Sequence, residues 1–493
     1  MINLERRLES VIRDNLNKLP SEPFIWWRKT WWSRSAFLEL AEECEELLLS
    51  SGFREGQRLA LLLPNSPLLL ALAFAVWRVG GAAVFIDFHS GYLPMMKQLA
   101  HADVFAALTY KGLSDFVPLV CEEGIPCCVI DEDNLSGKIQ GRPCVCEDRE
   151  TAAIFYTSGT TGEPKAVPLT HENFLSCIDG CFGCIDADED DVCLNALPNS
   201  NSFGFLCGAL IPLVKAIRQA VIPSFMPLAH TFDAIKDAEV TIIPAVPLAV
   251  AMMTRAAAKG GFVPKSLKTI ISGAENLPSE LAANAKKYLG VPVIQGYGLT
   301  EGTSVVAMPP TVNEARDHSV GKLISCIKAE IRGEDGEVLG AGSEGLLWIK
   351  GDSVARSYFR NDELTAERFS DGWFCTGDIA KFDEDGYLYL VGRTSELIFV
   401  GGFKVYAREV ERVVEEHPKV EEAAIVGVPR PISGQFVKAV VVVKKDEKLT
   451  SKEIIDYCKK KLAYYKVPRI IEFVDKMPRS AMGEVVKRKL SQD

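Results

Sequence analysis

The sequence predicts an α/β protein with a large N-terminal domain and a smaller C-terminal one, and two patterns lead there. Short apolar runs that end in Gly or Pro alternate with helix-like stretches along most of the chain, as when parallel strands deliver loops to one edge of a sheet. After about residue 392 the rhythm shortens into a unit of about 100 residues, enough to fold independently. A chain of 493 residues, 47% apolar and 25% charged, is too long for one core and has the balance of a soluble enzyme.

The elements come in this order. "RLALLL" (58–63), "AAIFY" (152–156), "VTIIPAV" (240–246), "KTIISG" (268–273) and "PVIQGYG" (292–298) read as buried strands. "LLLALAFAVW" (68–77) lies between "PNSP" and Arg78 and has about half of the ~20 residues a membrane span needs, so it reads as a buried helix. The smaller unit reads as a helix at "REVERVVEE", strands at "AAIVGV" and "KAVVVVK", a helix at "SKEIIDYCKKKLA" and a strand at "IIEFV". No Pro-rich or Gly/Ser linker precedes it, so any hinge is short.

A net charge of −11 without a clustered basic surface argues against nucleic acid and for a small-molecule substrate. The N-terminus "MINLERRLES" lacks the basic patch and apolar run of a secretory signal, so a cytoplasmic protein without a transmembrane segment is expected. The fourteen cysteines then read as reduced thiols. Cys177, Cys181 and Cys184 have a C-x3-C-x2-C spacing that an iron–sulfur cluster could use, and Cys193 or His171 could complete a zinc set. Phe174, Ile178, Cys181, Phe182 and Ile185 fall at helical spacing behind Thr170 as an N-cap, however, and core packing is the preferred reading.

"AAIFYTSGTTGEPKAVPLTH" carries the chemistry. A strand ends at Tyr156, and Thr157, Ser158, Gly159, Thr160, Thr161 and Gly162 offer hydroxyls and unencumbered N–H groups, a nest for anionic oxygens. Lys165 adds a full positive charge. The P-loop pattern fails, because Pro164 stands where its second Gly is required, and "KAVPL" reads as strand rather than as a helix facing the phosphates.

Seven blocks occur in order: "LLLPNSP", "YTSGTTGEPK", "SGAENLP", "QGYGLTEG", "DGWFCTGDIAKFDEDGYLYLVGR", "GGFKVYAREVE" and "LAYYKVPR". With them the chain resembles the adenylate-forming superfamily of acyl-CoA synthetases, luciferases and nonribosomal peptide adenylation domains, over nearly its whole length. The resemblance implies an N-terminal AMP-binding domain of packed sheets and a small barrel (1–392), a hinge (393–396) and a mobile C-terminal domain (397–493). It also implies a fatty acid–CoA ligase-like activity in two steps. A carboxylate attacks the α-phosphate of ATP to give acyl-AMP and pyrophosphate; a phosphopantetheine thiol, of coenzyme A or acyl carrier protein, then displaces AMP.

By that resemblance Thr157, Ser158, Thr160, Thr161 and Lys165, shaped by Gly159 and Gly162, hold the β- and γ-phosphates. Gly273, Ala274 and Glu275 pass along adenine and Tyr297 stacks on it, although core packing is the plainer reading of Tyr297. Thr300 meets the α-phosphate, and Glu301 is the Mg²⁺ ligand, a hard oxygen for a hard cation. Asp378 accepts the ribose hydroxyls, Arg393 binds ribose or phosphate, and the "GGFK" loop approaches the thiol donor.

Three positions depart from the family pattern. Asn201 in "PNSNSFGF" stands where acyl-CoA synthetases commonly have His and amino-acid adenylation domains have Asp, which disfavours an amino-acid substrate. The following "FGFLCGALIPLV" is apolar enough to line an acyl pocket. Ser395 replaces the usual Asp or Lys of the hinge, which backbone freedom tolerates. Glu484, after Gly483 in "PRSAMGEVVKRKL", occupies the position of the family's catalytic lysine. Lys487 would face the other way in an extended segment. The chain is then either a working acid–thiol ligase or an adenylation-impaired protein of the same fold that binds nucleotide or acyl-adenylate.

Overall fold

The computed structural model describes residues 6–131, 135, 138–144, 149–157, 165–260, 262–400, 403–429, 435–479 and 485–491. Contacts divide the chain into a large unit, 1–328 with 349–374, and a smaller one, 329–348 with 375–493. In the smaller unit, residues of Trp373–Phe382 pair antiparallel with Leu388–Arg393, Asp378 opposite Arg393.

Two sheets organise the large unit. One runs, in spatial order, Val293–Gln295, Thr269–Ser272, Ile242–Ala245, Val192–Asn195, Arg218–Val221, Pro23–Trp27, Thr30–Ser33. The other runs Cys127–Val129, Ala106–Thr109, Arg58–Leu62, Ala82–Phe85, Thr151–Thr157, Lys165–Thr170. Neighbours are parallel except for one closing antiparallel pair in each sheet. Strands buried on both faces favour apolar side chains: Arg58–Leu62 and Thr269–Ser272 are buried at every residue and are apolar except at Arg58, Thr269 and Ser272 on their ends.

The helix Pro67–Arg78 forms where the apolar run predicts it. Ser66 caps it by accepting the Leu69 N–H, Pro67 sits in the first turn, and every residue from Pro67 to Trp77 is buried. The helix His171–Phe182 starts on a reciprocal capping box between Thr170 and Asn173. Cys177 and Cys181 lie on its buried side, and the Cys177 thiol points to the Thr303 carbonyl at 3.2 Å, so both pack as core residues. Among the described residues no helix is long and apolar enough to cross a membrane.

The smaller unit holds the strands Val420–Pro429, Gln435–Val443 and Ile470–Phe473 in that order, with helices Ala407–Glu415 and Ser451–Lys459. Val410, Val413 and Val414 pack against Ile425, Val437, Ala439 and Val441. The end of the chain differs from expectation. Val485 pairs with Arg479, and the chain then enters a 3₁₀ turn, Lys487–Lys489, rather than continuing extended.

Candidate active site

In the large unit the site lies where parallel strands end. Ala245 is level with Ser272, and Ser272 with Gln295, so the segments leaving these strands emerge side by side. Gly273 comes directly after Ser272. A Cβ there would stand 2.9 Å from the tip of the Phe203 ring, so any other residue would push the ring aside. Ala274 adopts φ +71°, a left-handed conformation that costs a residue with a Cβ about 1–2 kcal/mol and is found at ligand-facing turns. Glu275 is half-buried beside it.

"GYGLTEG" folds back on itself. Tyr297 exchanges backbone hydrogen bonds with Ala307 and Val306 at 2.8 Å, and its side chain is 7% exposed. Any side chain at Gly298 would overlap the Ser304 carbonyl. A tight turn, Thr300–Gly302, then presents Thr300 and Glu301. The Thr300 hydroxyl lies 3.1 Å from that of Ser202, and Glu301, 9% exposed, accepts a 2.6 Å hydrogen bond from the Tyr358 hydroxyl. Burial, then the Glu301 charge, pushes the Tyr358 phenol well above its ordinary pKa, so the phenol stays protonated and donating.

Ser202 is carried by a loop that buried amides hold. Asn65, in "LLLPNSP", donates to the Leu197 carbonyl at 2.7 Å and accepts the Asn199 N–H at 2.9 Å; Asn199 in turn donates to Asn195 and Gly204. Asn201 turns back on its own chain and accepts the Phe203 N–H at 2.9 Å, opening a π-helix at Gly204–Leu210. The acyl-pocket expectation for this stretch needs correction. Phe205, Leu206, Ala209 and Leu210 are wholly buried, and the Phe205 ring packs among Trp77, Phe85, Phe155 and Phe174. Apolar character marked a core here, and Phe203 alone of the three leading residues is not fully buried.

The phosphate-loop residues Ser158, Gly159, Thr160, Thr161 and Gly162 lie outside the described residues, as does Glu484. Both ends of that loop are described. Thr157 and Lys165, each half-buried, are partners in an antiparallel ladder, and Lys165–Thr170 is the expected strand.

In the smaller unit Asp378 and Arg393 stand together. Asp378, 4% exposed, accepts a 2.8 Å bond from Arg393 Nε, and Thr394 ties the same turn through the Gly377 carbonyl. Behind them lies a set of half-buried charges that sequence reading missed. Burial lowers the Arg408 pKa, opposed by Glu411, Asp378 and Glu396. Lys487 pairs with Glu396 at 2.6 Å and Glu411 at 2.8 Å; burial works against its charge, but the two carboxylates outweigh it and raise its pKa.

A two-unit α/β chain whose parallel-strand ends gather Gly273, Thr300 and a buried carboxylate has the construction of a small-molecule enzyme. The chain belongs to the AMP-binding enzyme family: that family's profile matches residues 12–359, and the AMP-binding enzyme C-terminal domain matches residues 409–484. It is 33% identical to a 2-succinylbenzoate–CoA ligase of Bacillus licheniformis, covering 92% of this chain and 94% of that one. It is 30% identical to the long-chain-fatty-acid–CoA ligase FadD13 of Mycobacterium tuberculosis, covering 92% and 91%. Among solved structures, ATP-bound MatB from Rhodopseudomonas palustris superposes with a TM-score of 0.89 at 27% identity, covering 98% of each chain. The protein is an enzyme of the acid–thiol ligase type, an adenylate-forming CoA ligase using ATP.

Proposed function

We propose that the enzyme activates an apolar carboxylic acid, a fatty acid in the first instance, as acyl-AMP and passes the acyl group to coenzyme A, with Glu484 slowing the first step. The observation that carries the adenylation step is the turn that presents Thr300 and Glu301 with Ser202 and Tyr358 within hydrogen-bond distance, and the long-chain-fatty-acid–CoA ligases among the relatives support an apolar acid. In the first step a carboxylate oxygen bonds to the α-phosphorus, the bond to the bridging oxygen breaks, and pyrophosphate leaves. Thr157, Lys165 and the residues between them stabilise the charge that collects there. Thr300 orients the α-phosphate, and Asp378 orients the ribose. In the second step the thiol sulfur bonds to the acyl carbon and AMP leaves with the electron pair of the broken C–O bond.

Glu301 suits Mg²⁺, which takes one or two protein carboxylates and otherwise keeps water and phosphate oxygens. Its carboxylate is buried and already fixed through one oxygen. The cation would neutralise phosphate charge during transfer. The described cysteines are free thiols, which supports placing the enzyme in the cytoplasm. Acyl carrier protein presents the same thiol as coenzyme A and remains an alternative donor.

A second reading has its own support. Lys487, the nearest lysine after Glu484 in sequence, is bound to Glu396 and Glu411, which speaks against its standing in for the family's catalytic lysine. On this reading the protein binds nucleotide or acyl-adenylate without forming it. Pyrophosphate exchange across a panel of fatty, aryl and dicarboxylic acids separates the two. Exchange with any acid supports the ligase, whereas none, restored by Glu484→Lys, supports the impaired protein.

A further inference from the structure

We propose that Tyr358 is a positioning residue for Glu301: it orients the carboxylate that takes the nucleotide's divalent cation. This rests on Glu301 being the cation's protein ligand. The segment around Tyr358 holds Glu301 from two sides. The Ala355 N–H donates to the Glu301 carbonyl at 2.7 Å, while the Tyr358 hydroxyl donates to the Glu301 carboxylate at 2.6 Å. An O–H···O⁻ bond of that length is charge-assisted and about twice as strong as a neutral one.

The phenol is itself held in place. Tyr358 is 5% exposed, its ring meets Phe369 edge-on at 5.6 Å, and its N–H donates to Thr365 Oγ1 at 3.0 Å. The preceding residues are pinned as well: Asn173 donates to the Asp352 carbonyl at 2.7 Å and Thr303 to the Ser353 carbonyl at 2.6 Å. The turn that bears Glu301, the capped helix after the phosphate-loop hairpin, and residues 352–358 thus form one hydrogen-bonded assembly. Tyr358 is the residue through which this assembly hydrogen-bonds the Glu301 carboxylate. A fixed bond to one oxygen restrains the rotation of the carboxylate, as the outer partners of metal-binding carboxylates do, and would hold Glu301 ready for the cation.

Mn²⁺ serves as the probe, with ATP carrying a methylene group between its α- and β-phosphorus atoms so that no turnover occurs. Free Mn²⁺ is followed by electron paramagnetic resonance against the full chain, Tyr358→Phe and Glu301→Gln. Phe keeps the ring packed on Phe369 and removes one oxygen. Loss of the orienting bond weakens Mn²⁺ uptake by Tyr358→Phe about 10- to 100-fold. The rise in melting temperature caused by Mn²⁺ and nucleotide shrinks with it, a change that a purely structural role would not produce. Unchanged Mn²⁺ affinity in Tyr358→Phe, with a large loss in Glu301→Gln, overturns the role of Tyr358 and leaves that of Glu301 intact. Unchanged affinity in Glu301→Gln removes the reading of Glu301 and the inference with it.

Discussion

Lys487 Nζ stands 2.6 Å from Glu396 Oε2, joining the turn near the C-terminus to the turn just after Arg393, and Glu411 adds a second carboxylate at 2.8 Å. An ammonium between two carboxylates in a half-buried setting is a fixture of the smaller unit, since moving it would strand two like charges. Removing it as Lys487→Met is expected to lower stability by about 1.5–3 kcal/mol, the range for a hydrogen bond to a charged group, measured by urea unfolding.

Glu484→Lys is expected to raise pyrophosphate exchange. At ~4 Å and an effective dielectric of about 20, one charge pair is worth on the order of 4 kcal/mol, so even a small part of that energy gives about a tenfold gain. Exchange that falls or stays constant on this substitution would show that the glutamate is not the obstacle.

Discrimination among nucleotides tests the proposed role of Asp378. If its carboxylate accepts ribose hydroxyls, the enzyme discriminates ATP from 2′-deoxy-ATP and 3′-deoxy-ATP, and Asp378→Asn loses most of that discrimination. The expected change is about tenfold, one charge-assisted hydrogen bond. Equal discrimination before and after the substitution would assign Asp378 to its pairing with Arg393 alone.

The two units carry opposite pH signatures. Burial, then Arg7, lowers His171 from 6.5 to about 3, so the unfolded chain binds a proton that the folded one refuses. This contribution is full above pH 6.5 and is lost on acidification toward 3, by up to about 1.4 kcal/mol per pH unit. Burial, then Glu411, raises Glu415 from 4.5 to about 7, so the folded smaller unit holds a proton the unfolded chain gives up. Its contribution is full below pH 4.5 and fades as pH rises through 7. Denaturation curves from about pH 4.5 to about 8.5 check both, with His171→Gln flattening the acid side and Glu415→Gln the alkaline side.

Asn65 and Asn199, 134 residues apart in sequence, share the hydrogen bond that seats the Ser202 loop. Asn65→Ala leaves buried acceptors and donors unmatched and is expected to cost about 1–3 kcal/mol. A double-mutant cycle with Asn199→Ala should return a coupling of about 0.5–3 kcal/mol, and additivity would show the two to be independent.

Much of the large unit was legible because its buried strands are mostly apolar and the Pro67–Arg78 helix is apolar up to Trp77, and burial of that kind leaves its mark on local sequence. The candidate nucleotide residues stand in ordered sequence blocks. Their supports were not. Tyr358 reaches Glu301 across 57 residues and Lys487 reaches Glu396 across 91, and no local pattern encodes such a pairing. Arg408 sits on a helix whose charges suggest an exposed face, yet it is half-buried. The run after Phe203 misled for the opposite reason: apolarity says that a side chain avoids water, not whether it meets a ligand or a core.

The ladder that brings Thr157 opposite Lys165 has a consequence for how the phosphate loop tolerates change. Extra residues within 158–164 lengthen a connection whose ends stay clamped, and doubling it costs only about 0.6 kcal/mol in closure entropy. A slip of the two strands by one position is a different matter, because side chains alternate across a strand and Lys165 would swing to the opposite side of the sheet. The hairpin's register, more than the wording of its tip, therefore decides whether this lysine keeps its aim.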